Sequence, residues 1–196
     1  MRKGRLTLLN TVAISVLLAR PGFAMADESA IAAASEYEVK AAFVYNFAKF
    51  VEWPQSNRAM TFCVAGPEPA FLALRRVVHG KTIGGRELTM KRLNPGEQAR
   101  GECQVVFIAW ADKKRSASAL LALEQQGVLT VGEEDSFLDT GGIIHFLLED
   151  RKIRFEINLT AARKAGLAIS SKLLKLATSI REDAPGGRGG RDAMVP

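Results

Sequence analysis

Cys103-Gln104-Val105-Val106-Phe107-Ile108-Ala109 has no polar face beyond its second residue. A strand with one wet side alternates apolar and polar residues, whereas unbroken apolar residues from Val105 to Ala109 suit a central strand covered on both sides by helices. Upstream, Thr61-Phe62-Cys63-Val64-Ala65-Gly66 is a second strand-like run. Pro67-Glu68-Pro69 then marks a turn, and Phe71, Leu72, Leu74, Val77 and Val78 have the spacing of a helix that ends before Gly80. Gly84-Gly85 leads into Arg86 to Leu93, where alternation fits a half-exposed strand, and Asn94-Pro95-Gly96 breaks it.

Downstream, Lys113 to Gln126 carries Ala117, Leu120, Leu121 and Glu124 at helical spacing and stops at Gly127, a fitting residue just past a helix end. Val128-Leu129-Thr130-Val131 is a short buried strand. Ile143 to Leu148 and Lys152 to Ile157, separated by Glu149-Asp150-Arg151, predict an antiparallel hairpin at the sheet edge. Asn158 or Thr160 can cap a helix over Ala161 to Lys164, and Ser170 or Ser171 can open a last one through Ala177. Strands and helices in this order predict a single α/β domain over residues 36–180. Its sheet is mixed and mostly parallel, of about six strands, flanked by helices and finished by the C-terminal antiparallel edge hairpin.

The stretch Glu36-Tyr37-Glu38-Val39-Lys40-Ala41-Ala42-Phe43-Val44-Tyr45-Asn46-Phe47-Ala48-Lys49-Phe50-Val51-Glu52-Trp53-Pro54 is too apolar for an ordinary surface helix. Ser35 and Glu38 have the spacing of a capping box, Glu36 and Lys40 that of an i,i+4 ion pair, and Pro54 ends the element. At about 100° per residue its apolar side chains spread over roughly 200° of the circumference, against the roughly 100° that faces one core. Two readings stand: a helix wedged between the sheet and a loop, or a helix with part of its face on another chain. Phe43, Phe47, Phe50 and Trp53 are the candidates for a partner or homodimer surface, because aromatics dominate interface energetics.

Arg2, Lys3 and Arg5 precede an uncharged, mostly apolar run from Leu6 to Ala19, and Ala24-Met25-Ala26 supplies a small-x-small cleavage pattern. Residues 1–26 read as a secretory signal peptide, which puts the mature protein in a bacterial periplasm. Removing Arg2, Lys3, Arg5 and Arg20 from the 27 basic residues leaves 23 against 21 acidic ones. The mature chain is therefore nearly neutral, and its scattered basic residues argue against nucleic acid as a partner. Residues 181–196, rich in glycine and arginine and without apolar periodicity, read as a disordered tail.

In an oxidising compartment Cys63 and Cys103 are expected to form a disulfide, worth about 4 kcal/mol for a loop of this length in the chain-entropy view; two buried thiols are the alternative. No nucleophile elbow, phosphate loop, dinucleotide fingerprint or metal-ligand spacing is present, so neither an enzyme nor a cofactor or metal is expected. His145 lies inside a strand and reads as a packed or surface histidine rather than a base. In open α/β sheets ligands gather beyond the carboxyl ends of strands, which nominates a small-molecule pocket with Glu68, Trp110 and Glu133.

Taken together, Tyr37 to Pro54, Gly141-Gly142-Ile143-Ile144-His145-Phe146, Ile153-Arg154-Phe155-Glu156-Ile157-Asn158-Leu159 and Ala165 to Ala177 resemble the motifs of the YfiR family of periplasmic regulators. The resemblance implies a non-catalytic repressor that binds the periplasmic sensor domain of an inner-membrane diguanylate cyclase, lowering cyclic-di-GMP and biofilm formation. It also implies that an OmpA-like outer-membrane lipoprotein can sequester the repressor. Cys63 and Cys103 match one disulfide of the family; a second pair found in better-known members is absent, and His145 stands where asparagine is common. The competing function is a periplasmic small-molecule-binding module that reports to a membrane histidine kinase or receptor.

Overall fold

The elements, in chain order, are α1 (Glu28–Lys49), β1 (Val51–Glu52), β2 (Met60–Ala65), α2 (Glu68–Val78), β3 (Thr82–Ile83), β4 (Arg86–Arg92), β5 (Val105–Ile108), α3 (Lys113–Leu121), β6 (Leu129–Gly132), β7 (Ile144–Glu149), β8 (Lys152–Asn158), α4 (Leu159–Lys164), β9 (Ala168–Ile169), α5 (Ser171–Leu174) and β10 (Ser179–Arg181). The structure, a computed structural model, describes residues 28–53, 59–94, 96–97, 101–121, 123 and 127–182. The expected signal peptide, Pro54 and residues 183–196 of the expected tail lie outside the described residues.

Eight strands form one sheet in the order β10-β8-β7-β6-β5-β2-β4-β3, and β1 pairs separately with β9. Within the large sheet only β7 with β8 and β3 with β4 run antiparallel. The fold is thus the expected mixed, mostly parallel α/β sheet. The six strands read from apolar pattern are all present, and the short β3 and β10 add two more. As its composition requires, β5 sits inside the sheet and is buried along its whole length.

Each face of the sheet has its own core. On one, Phe62, Val64, Phe107 and Val131 meet Val44 and Phe47 of α1 and Leu74 of α2. On the other, Val106 and Ile108 meet Leu120 of α3 together with Phe137 and Leu138. Cys63 and Cys103 belong to this second core and are joined, with their Cα atoms 5.8 Å apart. Phe137 fits there because two glycines make room: a Cβ at Gly132 or Gly142 would come within 2.3 Å of its ring.

Several details depart from the sequence reading; the last helix, α5, stops at Leu174 rather than running through Ala177, and Arg181, expected to open a disordered tail, ends β10. Helix α1 begins at Glu28, so Ser35 is a mid-helix residue and no capping box forms. The cause is the run Ala30-Ile31-Ala32-Ala33-Ala34, since alanine is the strongest helix former and carries the helix past the capping position. The helix also stops at Lys49, ahead of Pro54, because Val51 and Glu52 turn extended to pair with Ile169 and Ala168. Finally, the hairpin of β7 and β8 lies one strand in from the edge. Thr178 N–H donates to the Phe155 carbonyl at 2.9 Å, after which Ser179, Ile180 and Arg181 run parallel to Glu156, Ile157 and Asn158.

The hairpin turn is Asp150-Arg151, both residues in the left-handed region with φ of 49° and 60°. Two-residue hairpins favour this conformation, but at the second position they favour glycine. Arg151→Gly is expected to stabilise the protein by about 1 kcal/mol by relieving left-handed strain, read as a higher urea midpoint; an unchanged or lower midpoint contradicts the strain.

Candidate functional site

The apolar breadth of α1 divides into a covered part and an open part. Ala41, Val44, Phe47 and Ala48 are fully buried. The Phe47 ring lies 4.7 Å from Phe155 and 5.6 Å from Phe146, centroid to centroid, and is 1 % exposed. Phe47 is therefore a core residue and leaves the set of surface candidates: its position on the helix points at the sheet. Phe50 and Trp53 are half-buried where the chain leaves the helix, and the Trp53 indole N–H donates to the Ala48 carbonyl at 2.8 Å. Phe43 is half-buried too, with one side against Phe47 and Phe155.

The other side of Phe43 belongs to an open groove of about 380 Å³ along α1, shared with Ser35, Glu38, Val39, Ala42 and Asn46. These positions recur every three or four residues and so lie on one helix face. Val39 at its centre is 45 % exposed, and Glu38 at the margin pairs with Arg76 of α2 at 2.9 Å. The groove thus pairs an apolar floor with a charged border. Of the four aromatics nominated from sequence, Phe43 alone lines it; Val39, which belongs to the apolar face read from sequence but was not nominated, and Ala42 are also part of it.

A second polar feature ties α1 to the end of β6. Lys40, almost fully buried, pairs with Glu36 one turn earlier and with Glu133 at 3.2 Å. Burial pushes the Glu133 carboxyl above its usual range, and the Lys40 charge only partly offsets this. The Tyr37 phenol is pushed up to about 12, first by burial and then by the charges of Glu133 and Glu36. A carboxyl whose pKa is raised on folding binds more protons in the folded state. Its contribution to stability therefore falls as pH rises above the ordinary carboxylate range and through its folded value. Glu133→Gln removes that titration, so the variant is expected to gain stability relative to the parent as pH is raised from about 4.5. Urea unfolding at several pH values checks this; parallel pH profiles would contradict it.

Glu68, Trp110 and Glu133 are not brought together as a pocket. Glu68 is exposed at the start of α2, Trp110 packs against the second core, and Glu133 is held by Lys40 on the α1 side. The ends of β2 and β5 also close on each other, since a Cβ at Gly66 would stand 2.7 Å from the Ala109 Cβ. His145 is buried in β7 with its Nδ1 3.6 Å from Glu156, whose other oxygen accepts from the Ser179 hydroxyl at 2.6 Å. The carboxylate lies between serine and histidine, so the imidazole has no route to the hydroxyl proton and this row is no Ser-His-acid relay.

The sequence profile of a family described as YfiR/HmsC-like matches residues 37–178. Among solved structures, the chain is similar to a conserved domain protein from Vibrio cholerae, at 14% identity and a TM-score of 0.53 over 74% of this chain and 60% of that one. It is also similar to the ABC domain from Streptococcus pneumoniae solved in complex with L-Trp, at 8% identity and a TM-score of 0.50 over the same shares. This chain spans about 60% of the length of each, and at such identities the likeness is one of fold.

Proposed function

This chain belongs to the YfiR/HmsC-like family, a family of regulators rather than enzymes, and from that membership we propose that it is a periplasmic repressor of an inner-membrane diguanylate cyclase. It binds the cyclase's sensor domain, holds the enzyme inactive without catalysing a reaction itself, and so lowers cyclic-di-GMP and biofilm formation. Residues 1–26 direct its export. An OmpA-like outer-membrane lipoprotein competes for it, and the same aromatic surface is the candidate face for a homodimer.

The observation that carries this reading is the stripe of Val39, Ala42 and the outer side of Phe43, left uncovered by the other described residues, on a helix whose opposite face is pinned to the core. A regulator works by binding one state of its target better than the other, and an apolar groove with a charged margin supplies the contact area for that. No described helix is long and apolar enough to cross a membrane; in this reading it is the cyclase that is anchored in the inner membrane.

The test is a pull-down of the full chain, expressed with its export signal, from detergent-solubilised cells, followed by cyclase assays on the recovered complex. Recovery of a diguanylate cyclase whose activity rises when Val39→Glu replaces the parent protein is the expected result. Recovery of a kinase or receptor without a cyclase, or a cyclase indifferent to the protein, overturns the proposal.

A further inference from the structure

One edge of the large sheet is a strand longer than the neighbour that covers it. β4 spans Arg86–Arg92, whereas β3 outside it is Thr82–Ile83 and pairs with Arg86 and Glu87. β3 starts no earlier because the Lys81 N–H turns back to the Val78 carbonyl at the end of α2, at 3.1 Å. Backbone groups of successive strand residues point to alternate sides. The Leu93 N–H donates inward to the Val64 carbonyl of β2 and the Leu88 N–H outward to the Lys81 carbonyl, so Met90 and Arg92 point outward as well. Among the described residues, no backbone group pairs with them on that side.

The side chains beside this bare row form a pattern of their own. Leu88, Met90 and Arg92 share one face of β4, since side chains alternate between the faces of a sheet. Leu88 and Met90 are half-buried against the core beside α2, and Arg92 is exposed. On the opposite face Lys91 is held by Glu97 and Glu102, whereas Arg92 forms no ion pair with a described residue. The edge thus combines unpaired N–H and C=O groups, two half-covered apolar side chains and one unbalanced positive charge.

We propose that the outer edge of β4 docks an extended acidic segment of a protein partner, which joins the sheet as an antiparallel strand. Two apolar side chains of the segment lie beside Leu88 and Met90, and a carboxylate lies beside Arg92. In such strand addition the main-chain bonds give affinity and the alternate side chains give specificity. A second copy of β4 suits the edge less well: paired about Met90, it would set Arg92 diagonal to the other copy's Arg86, and like charges so placed repel. At the other edge of the sheet, the Ser179 and Arg181 side chains of β10 are already taken by Glu156 and Asp139, which leaves Ile180 alone to select a partner. The β4 edge shares no residue with the α1 groove, so it stands or falls independently of the regulatory reading.

The protein, expressed with its export signal, is mixed with the acetylated and amidated peptide Gly-Glu-Thr-Val-Thr-Val-Thr-Gly, and amide hydrogen exchange is followed residue by residue by NMR. In antiparallel register the glutamate and the two valines fall opposite Arg92, Met90 and Leu88. Saturable slowing of exchange at Met90 and Arg92 is expected, because their N–H groups gain acceptors. Methylating the backbone nitrogen of the first valine, which faces Met90, removes one donor and should weaken the peptide about tenfold. Arg92→Glu, a change at an exposed side chain, should weaken the acidic peptide about fivefold and bind better when lysine replaces the peptide's glutamate. No slowing at Met90 and Arg92, equal binding of the methylated peptide, or an Arg92→Glu protein indifferent to the peptide's charge overturns the proposal. Slowing at the same amides that grows with protein concentration, without peptide, assigns the edge to a second copy and overturns it too.

Discussion

Phe47→Asp is expected to leave no folded protein. The ring is 1 % exposed and stacked among Phe43, Phe146 and Phe155, which joins α1 to β7 and β8. Truncating a buried phenylalanine costs about 3–5 kcal/mol by itself. Burying an unpaired carboxylate in its place adds several more, and the total approaches or exceeds the roughly 5–15 kcal/mol that holds a domain together. Circular dichroism of the purified variant, or its failure to accumulate, reads this directly. Val39→Glu, four residues N-terminal to Phe43 on the open groove, is expected to keep the parent spectrum. A folded Phe47→Asp protein would mean that this side of α1 faces outward.

Replacing both cysteines by alanine is expected to cost about 4 kcal/mol, the second largest effect. Cys63 and Cys103 are 40 residues apart in sequence and both buried, so the bond removes the conformations in which the unfolded chain separates β2 from the start of β5. Urea unfolding of the parent in strong reductant should shift by the same amount, whereas the double variant should ignore the reductant. Equal midpoints for parent and double variant would show that the cross-link contributes nothing.

Much of the architecture was legible because it rests on long, repetitive signals. Val105 to Ile108 had to be a central strand because both of its faces are apolar, and Ile153 to Ile157 had to pair with one wet face because they alternate. β3 and β10 were not legible, since strands of two and three residues carry no measurable period. The start of α1 misled for a different reason: the Ser35 and Glu38 spacing is real, but capping and alanine propensity compete, and the alanines won.

Site residues were harder. Phe43 and Phe47 are one turn apart and look alike in a helical pattern, which reveals that a face is apolar without revealing where its roof ends. Phe146 and Phe155, a hundred residues on, touch both rings, and what separates the two is depth, Phe47 being 1 % exposed and Phe43 half-buried. Glu133 was noticed as a strand-end acid, yet its role depends on Lys40, which no spacing connects to it.

Residues 179–181 lie just past the 37–178 span that the family profile matches, and they contribute little to the core, with Ile180 44 % exposed. Their backbone nevertheless occupies the outer row of N–H and C=O groups of β8. Bare, that row is a template on which further chains can add strand by strand. Clipping the polypeptide after Thr178 would therefore do little harm to folding and much to solubility, turning a discrete molecule into a seed for aggregation.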